Sequence, residues 1–163
     1  MKAKKVSLLA LTIALAMILS YAETLLPVLV AIPGVKAGFA NIAVIFALYK
    51  FNMFETIGVS LVRIVIVSIL FGNGLSFAYS VAGAVLSLLT MFIMKKTKLF
   101  EVVTVSIAGG IMHNVGQLLM ANVFLETNIL KYYMPFLLVS GIISGTIIGI
   151  LGAIVIKRIN MRY

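Results

Sequence analysis

Apolar residues come in six runs, at roughly residues 6–22, 37–50, 54–71, 76–94, 102–124 and 133–156. The breaks between them are short and carry glycine, asparagine, lysine or proline. About 17–25 consecutive apolar residues are enough to cross bilayer hydrocarbon as a helix. The pattern therefore predicts six membrane spans, of which the second is short, with its start close to a Gly34–Ala37 turn. The first run also has features of a cleaved secretory signal, with "KAKK" ahead of it and "SYA" before Glu23. Its length favours a retained helix.

Composition agrees. The chain is 63% hydrophobic and 10% charged, with a mean hydropathy of +1.24. A soluble domain of this size needs more polar surface, so part of its solvent is lipid. With no soluble domain, linker or internal repeat in view, residues 1–163 are expected to form a single all-α, six-helix transmembrane bundle.

Charge adds an orientation. Lys and Arg outnumber the acids 13 to 4. They gather at the ends of the apolar runs instead of forming a face for nucleic acid. If both termini share a side, that side holds Lys2, Lys4, Lys5, Lys50, Lys95, Lys96, Lys98, Lys157, Arg158 and Arg162. Basic residues favour the cytoplasm, so the protein is expected in the cell membrane with both termini cytoplasmic.

Several chemistries drop out. Without cysteine there is no disulfide, thiolate metal site or cysteine nucleophile. One histidine and four glutamates make a metal cage or paired-carboxylate active site improbable. No aspartate exists to build an aspartate-rich magnesium–diphosphate motif, and no Walker A loop to hydrolyse ATP. The chain is expected to be no enzyme, with no metal or cofactor of its own. Glu23, Glu55, Glu101 and Glu126 all fall near span ends, which argues against a self-contained proton-coupled transporter.

Polar residues inside the runs mark the candidate site, because an ionised group in hydrocarbon costs about 2.5–3.5 kcal/mol on insertion scales and must face protein or water. Arg63 lies in the middle of "GVSLVRIVIVSILFG". His113 and Gln117, four apart in "GGIMHNVGQLL", share a helix face flanked by Asn114. At the outer rim Lys36 follows Pro33 and Gly34, Asn41 lies about a turn further on, and "FGNGLS" offers Asn73 with Tyr79 beyond it. Exposed N–H groups at the start of the second span could cradle an anion. Together Lys36, Asn41, Arg63, Asn73, Tyr79, His113, Asn114 and Gln117 suggest an outward-open pocket for an anionic or hydrogen-bond-rich ligand. The plain alternatives are inter-helix polar packing for Arg63 and the histidine–asparagine–glutamine group, and a solvated turn at Lys36. Small residues let membrane helices meet backbone to backbone. Ala10 and Ala14 in the first run, and Gly141, Gly145 and Gly149 in the last, are internal packing or surfaces for another subunit.

"PGVKAGFANIAVIFALY", "LVRIVIVSILFGN", "AGAVLSLLTMFIMK" and "HNVGQLL" occur in that order. They resemble the family of Gx transporters, or heptaprenyl diphosphate synthase component I. The family in turn looks like the substrate-binding S components of energy-coupling-factor (ECF) transporters. That resemblance implies a six-helix bundle that binds a vitamin or precursor near its outer face. It also implies a separate T subunit and two ATPase subunits as partners, with Ala10 and Ala14 at the docking face. Relatives of the family look like flavin importers, so a flavin is favoured as the transported ligand, with Tyr21, Phe39 and Tyr79 available to stack on its ring. The alternative is a membrane accessory subunit of a prenyl-diphosphate synthase, or a carrier of an isoprenoid precursor.

Overall fold

A computed structural model describes residues 2–25, 38–125 and 129–159. They form six helices: α1 (Lys2–Leu25), α2 (Asn41–Lys50), α3 (Met53–Phe71), α4 (Gly74–Thr97), α5 (Val102–Leu125) and α6 (Ile129–Arg158). Five of them are long and apolar enough to cross a bilayer. The exception is α2, whose 10 residues rise only about 15 Å at 1.5 Å per residue, against roughly 30 Å of hydrocarbon. It begins at Asn41, later than the apolar run, because the chain before it is turned at Gly38, whose φ of 78° suits glycine. By contrast α1, α4 and α6 reach past their apolar runs into polar flanks.

Two tight connections follow from local chemistry. In front of α3, Asn52 accepts from the Glu55 N–H at 2.9 Å while Glu55 accepts from the Asn52 N–H at 3.1 Å. The same reciprocal box precedes α4, where Ser76 N–H donates to Asn73 at 2.8 Å and Asn73 N–H to the Ser76 hydroxyl at 2.9 Å. Each box satisfies two N–H groups that a helix start leaves open.

The helices close into a ring in the order α1, α3, α4, α5, α6, α2. Lys5 meets Glu55 at 2.7 Å near one end, and Tyr21 meets Phe71 at 5.2 Å between ring centroids near the other, so α1 and α3 run parallel. The closest packing joins α4, α5 and α6. A methyl group on Gly116 would lie 2.5 Å from the Ala82 carbonyl oxygen, and one on Gly145 would lie 2.7 Å from the Ile107 Cα. Backbones touch at these points because no side chain separates them. The Gly141–Gly145–Gly149 stripe is thus filled by α5 inside the bundle.

Being short, α2 can be buried along nearly its whole length. Val44, Ile45 and Leu48 pack with Met91, Val105 and Ile148 on one side. Phe46 and Ala47 pack with Phe51 and Val59 on the other, against Leu8, Leu9 and Ile13 of α1. Lys95 of α4 donates to the Leu48 carbonyl, which the end of α2 would otherwise leave open. Large apolar side chains such as Ile18, Ile69, Val123 and Phe136 point outward, exposed on the faces that lipid covers.

Candidate functional site

Ten residues into α3, Arg63 stands about 15 Å from the helix start, which puts it level with the beginning of α2. The side chain is only 9% exposed, and its Nε has no hydrogen-bond partner among the described residues. Leaving such a donor unpaired in the interior is costly. Arg63 closes no ion pair within 4.0 Å among the described residues, and the Glu23 carboxylate of α1 accepts the Phe39 N–H at 2.9 Å. Gly38 and Phe39 lead into α2 through two tight turns, Asn41 N–H to the Gly38 oxygen at 2.8 Å and Ile42 N–H to the Phe39 oxygen at 3.0 Å. The Asn41 amide lies over Gly38, and Ile148 of α6 closes that glycine from another side. Glu23 of α1, Asn41 of α2 and Ile148 of α6 therefore meet where α2 starts, with Arg63 of α3 at about the same depth.

The polar residues of α5 divide between two neighbours. His113 and Gln117 both pack on Gly83 of α4, where an added methyl would lie 2.9 Å from the imidazole and 3.0 Å from the Gln117 chain. Asn114 faces α6 instead. Its amide donates to the Leu137 carbonyl at 2.7 Å and to the Ser140 hydroxyl at 3.1 Å. All three point into the bundle, as their cost against lipid requires, but they do not form one surface. Both Asn114 donors are spent on holding α5 to α6.

The remaining expected residues scatter. Asn73 is exposed and caps α4. Tyr79 is half-buried edge-on against Phe124, with centroids 6.2 Å apart. Tyr21 lies against Phe71, so both tyrosine rings already have aromatic neighbours in the bundle. Lys36 lies outside the described residues, as do Pro33, Gly34 and Glu126. On α1, Ala10 and Ala14 are exposed while Ala16 faces the core. An open groove of about 350 Å³ runs between α4 and α5, walled by Ala82, Val85, Leu86, Gly116, Leu119, Met120 and Val123. It is apolar and includes none of the expected site residues. Among the described residues no cluster of metal-binding side chains occurs.

Sequence reading missed Glu23 as a site residue. Its position near the end of the first run marks it as a boundary acid, and only the fold turns it toward Phe39 at the start of α2. The available signal was the lone acid in "YAETLLP".

Outward apolar faces, inward polar residues and five spanning helices define a multi-pass helical membrane protein. The family model for heptaprenyl diphosphate synthase component I matches residues 12–155, and the chain belongs to that family. No curated protein and no solved structure matches the chain.

Proposed function

We propose that this protein is the substrate-binding (S) subunit of an ECF-type importer for a small vitamin-like or anionic molecule, with flavin favoured. It carries no catalytic step. It sits in the cell membrane with both termini cytoplasmic and six crossings. A T subunit and two ATPase subunits drive transport, docking on the α1 face that holds Ala10 and Ala14. The observation that carries the reading is Arg63: nine-tenths buried, its Nε unpartnered, at about the depth where a half-length helix begins. A structural arginine in hydrocarbon would be expected to spend its donors on carbonyls or a glutamate. Asn41 at the start of α2, and Gln117 on α5, are the amides best suited to the edge of a heterocycle.

A second reading, an accessory subunit of a prenyl-diphosphate synthase or a carrier of an isoprenoid precursor, draws on the family description and on the apolar groove between α4 and α5. The test is an absorbance and mass spectrum of small molecules released from gently purified wild type and Arg63→Ala. Flavin released from wild type and lost from a folded Arg63→Ala protein supports the importer reading. A prenyl phosphate in place of flavin favours the second reading. Equal release from both proteins removes Arg63 from the site.

A further inference from the structure

The end of the bundle where α2 and α4 finish gathers charge that the candidate site does not use. Lys95 donates to the Leu48 carbonyl and holds its ammonium 5.3 Å from the centre of the Tyr49 ring, which joins the last turns of the two helices. Lys50 closes α2, and Lys96 and Lys98 follow Lys95 at the end of α4. Lys96 and Lys98 are exposed and Lys50 is half-buried, and among the described residues none of the three forms an ion pair. Of the acids at this end, Glu55 is held by Lys5 at 2.7 Å, while Glu101 is exposed and pairs with none of these lysines.

The same end carries apolar side chains that the bundle leaves open. Lys98 has a left-handed backbone, φ 59°, which turns the chain off α4. Leu99 behind it is 81% exposed and Phe100 43%, and Phe54 at the start of α3 is 84% exposed. Leu99 and Phe54 are the two most exposed large apolar side chains among the described residues. With its 24 residues, α4 rises about 36 Å at 1.5 Å per residue, against about 30 Å of hydrocarbon. Residues 98–101 therefore emerge at the level of the lipid headgroups. Unpaired cations beside open apolar side chains at that depth complement a lipid with a negatively charged headgroup.

We infer that the corner where α2 and α4 end is a binding site for an anionic phospholipid, with Lys50, Lys96 and Lys98 on its headgroup and Leu99 and Phe100 against its acyl chains. The bound lipid fixes these helix ends at the headgroup plane. The site is separate from the one that contains Arg63 and holds whatever ligand is carried there.

The experiment titrates the full chain in detergent with phosphatidylglycerol and, in parallel, phosphatidylcholine, and reads retained lipid by native mass spectrometry. Wild type is expected to bind phosphatidylglycerol saturably and about tenfold or more tightly than phosphatidylcholine. Lys50→Gln/Lys96→Gln/Lys98→Asn is expected to lose that preference, by about fivefold for each lysine; asparagine tolerates the left-handed backbone at position 98. Lys4→Gln/Lys157→Gln/Arg158→Gln removes equal charge elsewhere at the same end and should leave the preference intact. Leu99→Ser/Phe100→Ser should weaken phosphatidylglycerol binding, and inorganic phosphate at the lipid's concentration should not displace it. Equal binding of the two lipids by wild type overturns the inference and leaves the patch to an acidic protein surface. Equal loss in the two triple variants, or displacement by inorganic phosphate, also overturns it. Wild type gives a check that needs no variant: a preference unchanged by a rise in sodium chloride from about 0.1 M to about 1 M overturns the role of the lysines.

Discussion

Asn114 separates ligand recognition from helix packing most directly. Its amide donates two hydrogen bonds to α6, at 2.7 Å to the Leu137 carbonyl and 3.1 Å to the Ser140 hydroxyl. Asn114→Ala removes both. Inter-helix hydrogen bonds in membranes average about 0.6 kcal/mol and reach about 1.7 kcal/mol, so the pair contributes about 1 and at most about 3 kcal/mol. The Leu137 carbonyl keeps a second donor in the Ser140 hydroxyl at 3.0 Å, which places the expected loss toward the lower value. Ser140→Ala removes only the longer Asn114 bond and that second donor, and should cost less than Asn114→Ala. The assay is equilibrium unfolding in SDS followed by circular dichroism, with ligand affinity measured on the same preparations. The expected outcome is lower stability with ligand affinity unchanged under conditions where the variant is folded. Wild-type stability combined with a large loss of affinity would refute the packing assignment and return Asn114 to the binding surface.

Gly116→Ala places a methyl 2.5 Å from the Ala82 carbonyl oxygen and should destabilise the bundle by about 1–3 kcal/mol, the usual cost of overpacking. Gly58→Ala meets nothing within 4 Å and should be neutral or stabilising by up to about 1 kcal/mol from helix propensity; equal melting temperatures for the two variants would contradict the close α4–α5 approach. Ala10→Leu and Ala14→Leu lie on an exposed face, so both should melt like wild type and bind ligand normally while failing to co-purify with a T subunit. Co-purification that survives both changes would move the docking face elsewhere. Lys5→Ala breaks the 2.7 Å contact with Glu55, but both groups are partly solvated, so thermal melting should register a loss of about 1 kcal/mol or less.

The class of this protein was readable from composition and run length alone, because the lengths needed to cross hydrocarbon and the cost of exposed backbone leave few options. The starts of α3 and α4 were also written locally, in Asn52 with Glu55 and Asn73 with Ser76, since capping acts over three residues. That Arg63 would turn away from lipid, toward protein or water, followed from its place in an apolar run. Which face of each helix turns inward could not be read in the same way. Lipid and protein interior are both apolar, so hydrophobic periodicity does not tell them apart. Helix geometry relates His113 to Gln117, but only the neighbours decide that these two meet Gly83 while Asn114 meets α6. The small residues of α6 and α1 look alike in sequence, yet Gly145 is filled by α5 and Ala14 is left open. Glu23 is the clearest case: 16 residues from Phe39 along the chain, it becomes part of the candidate site only because α1 and the start of α2 meet in three dimensions.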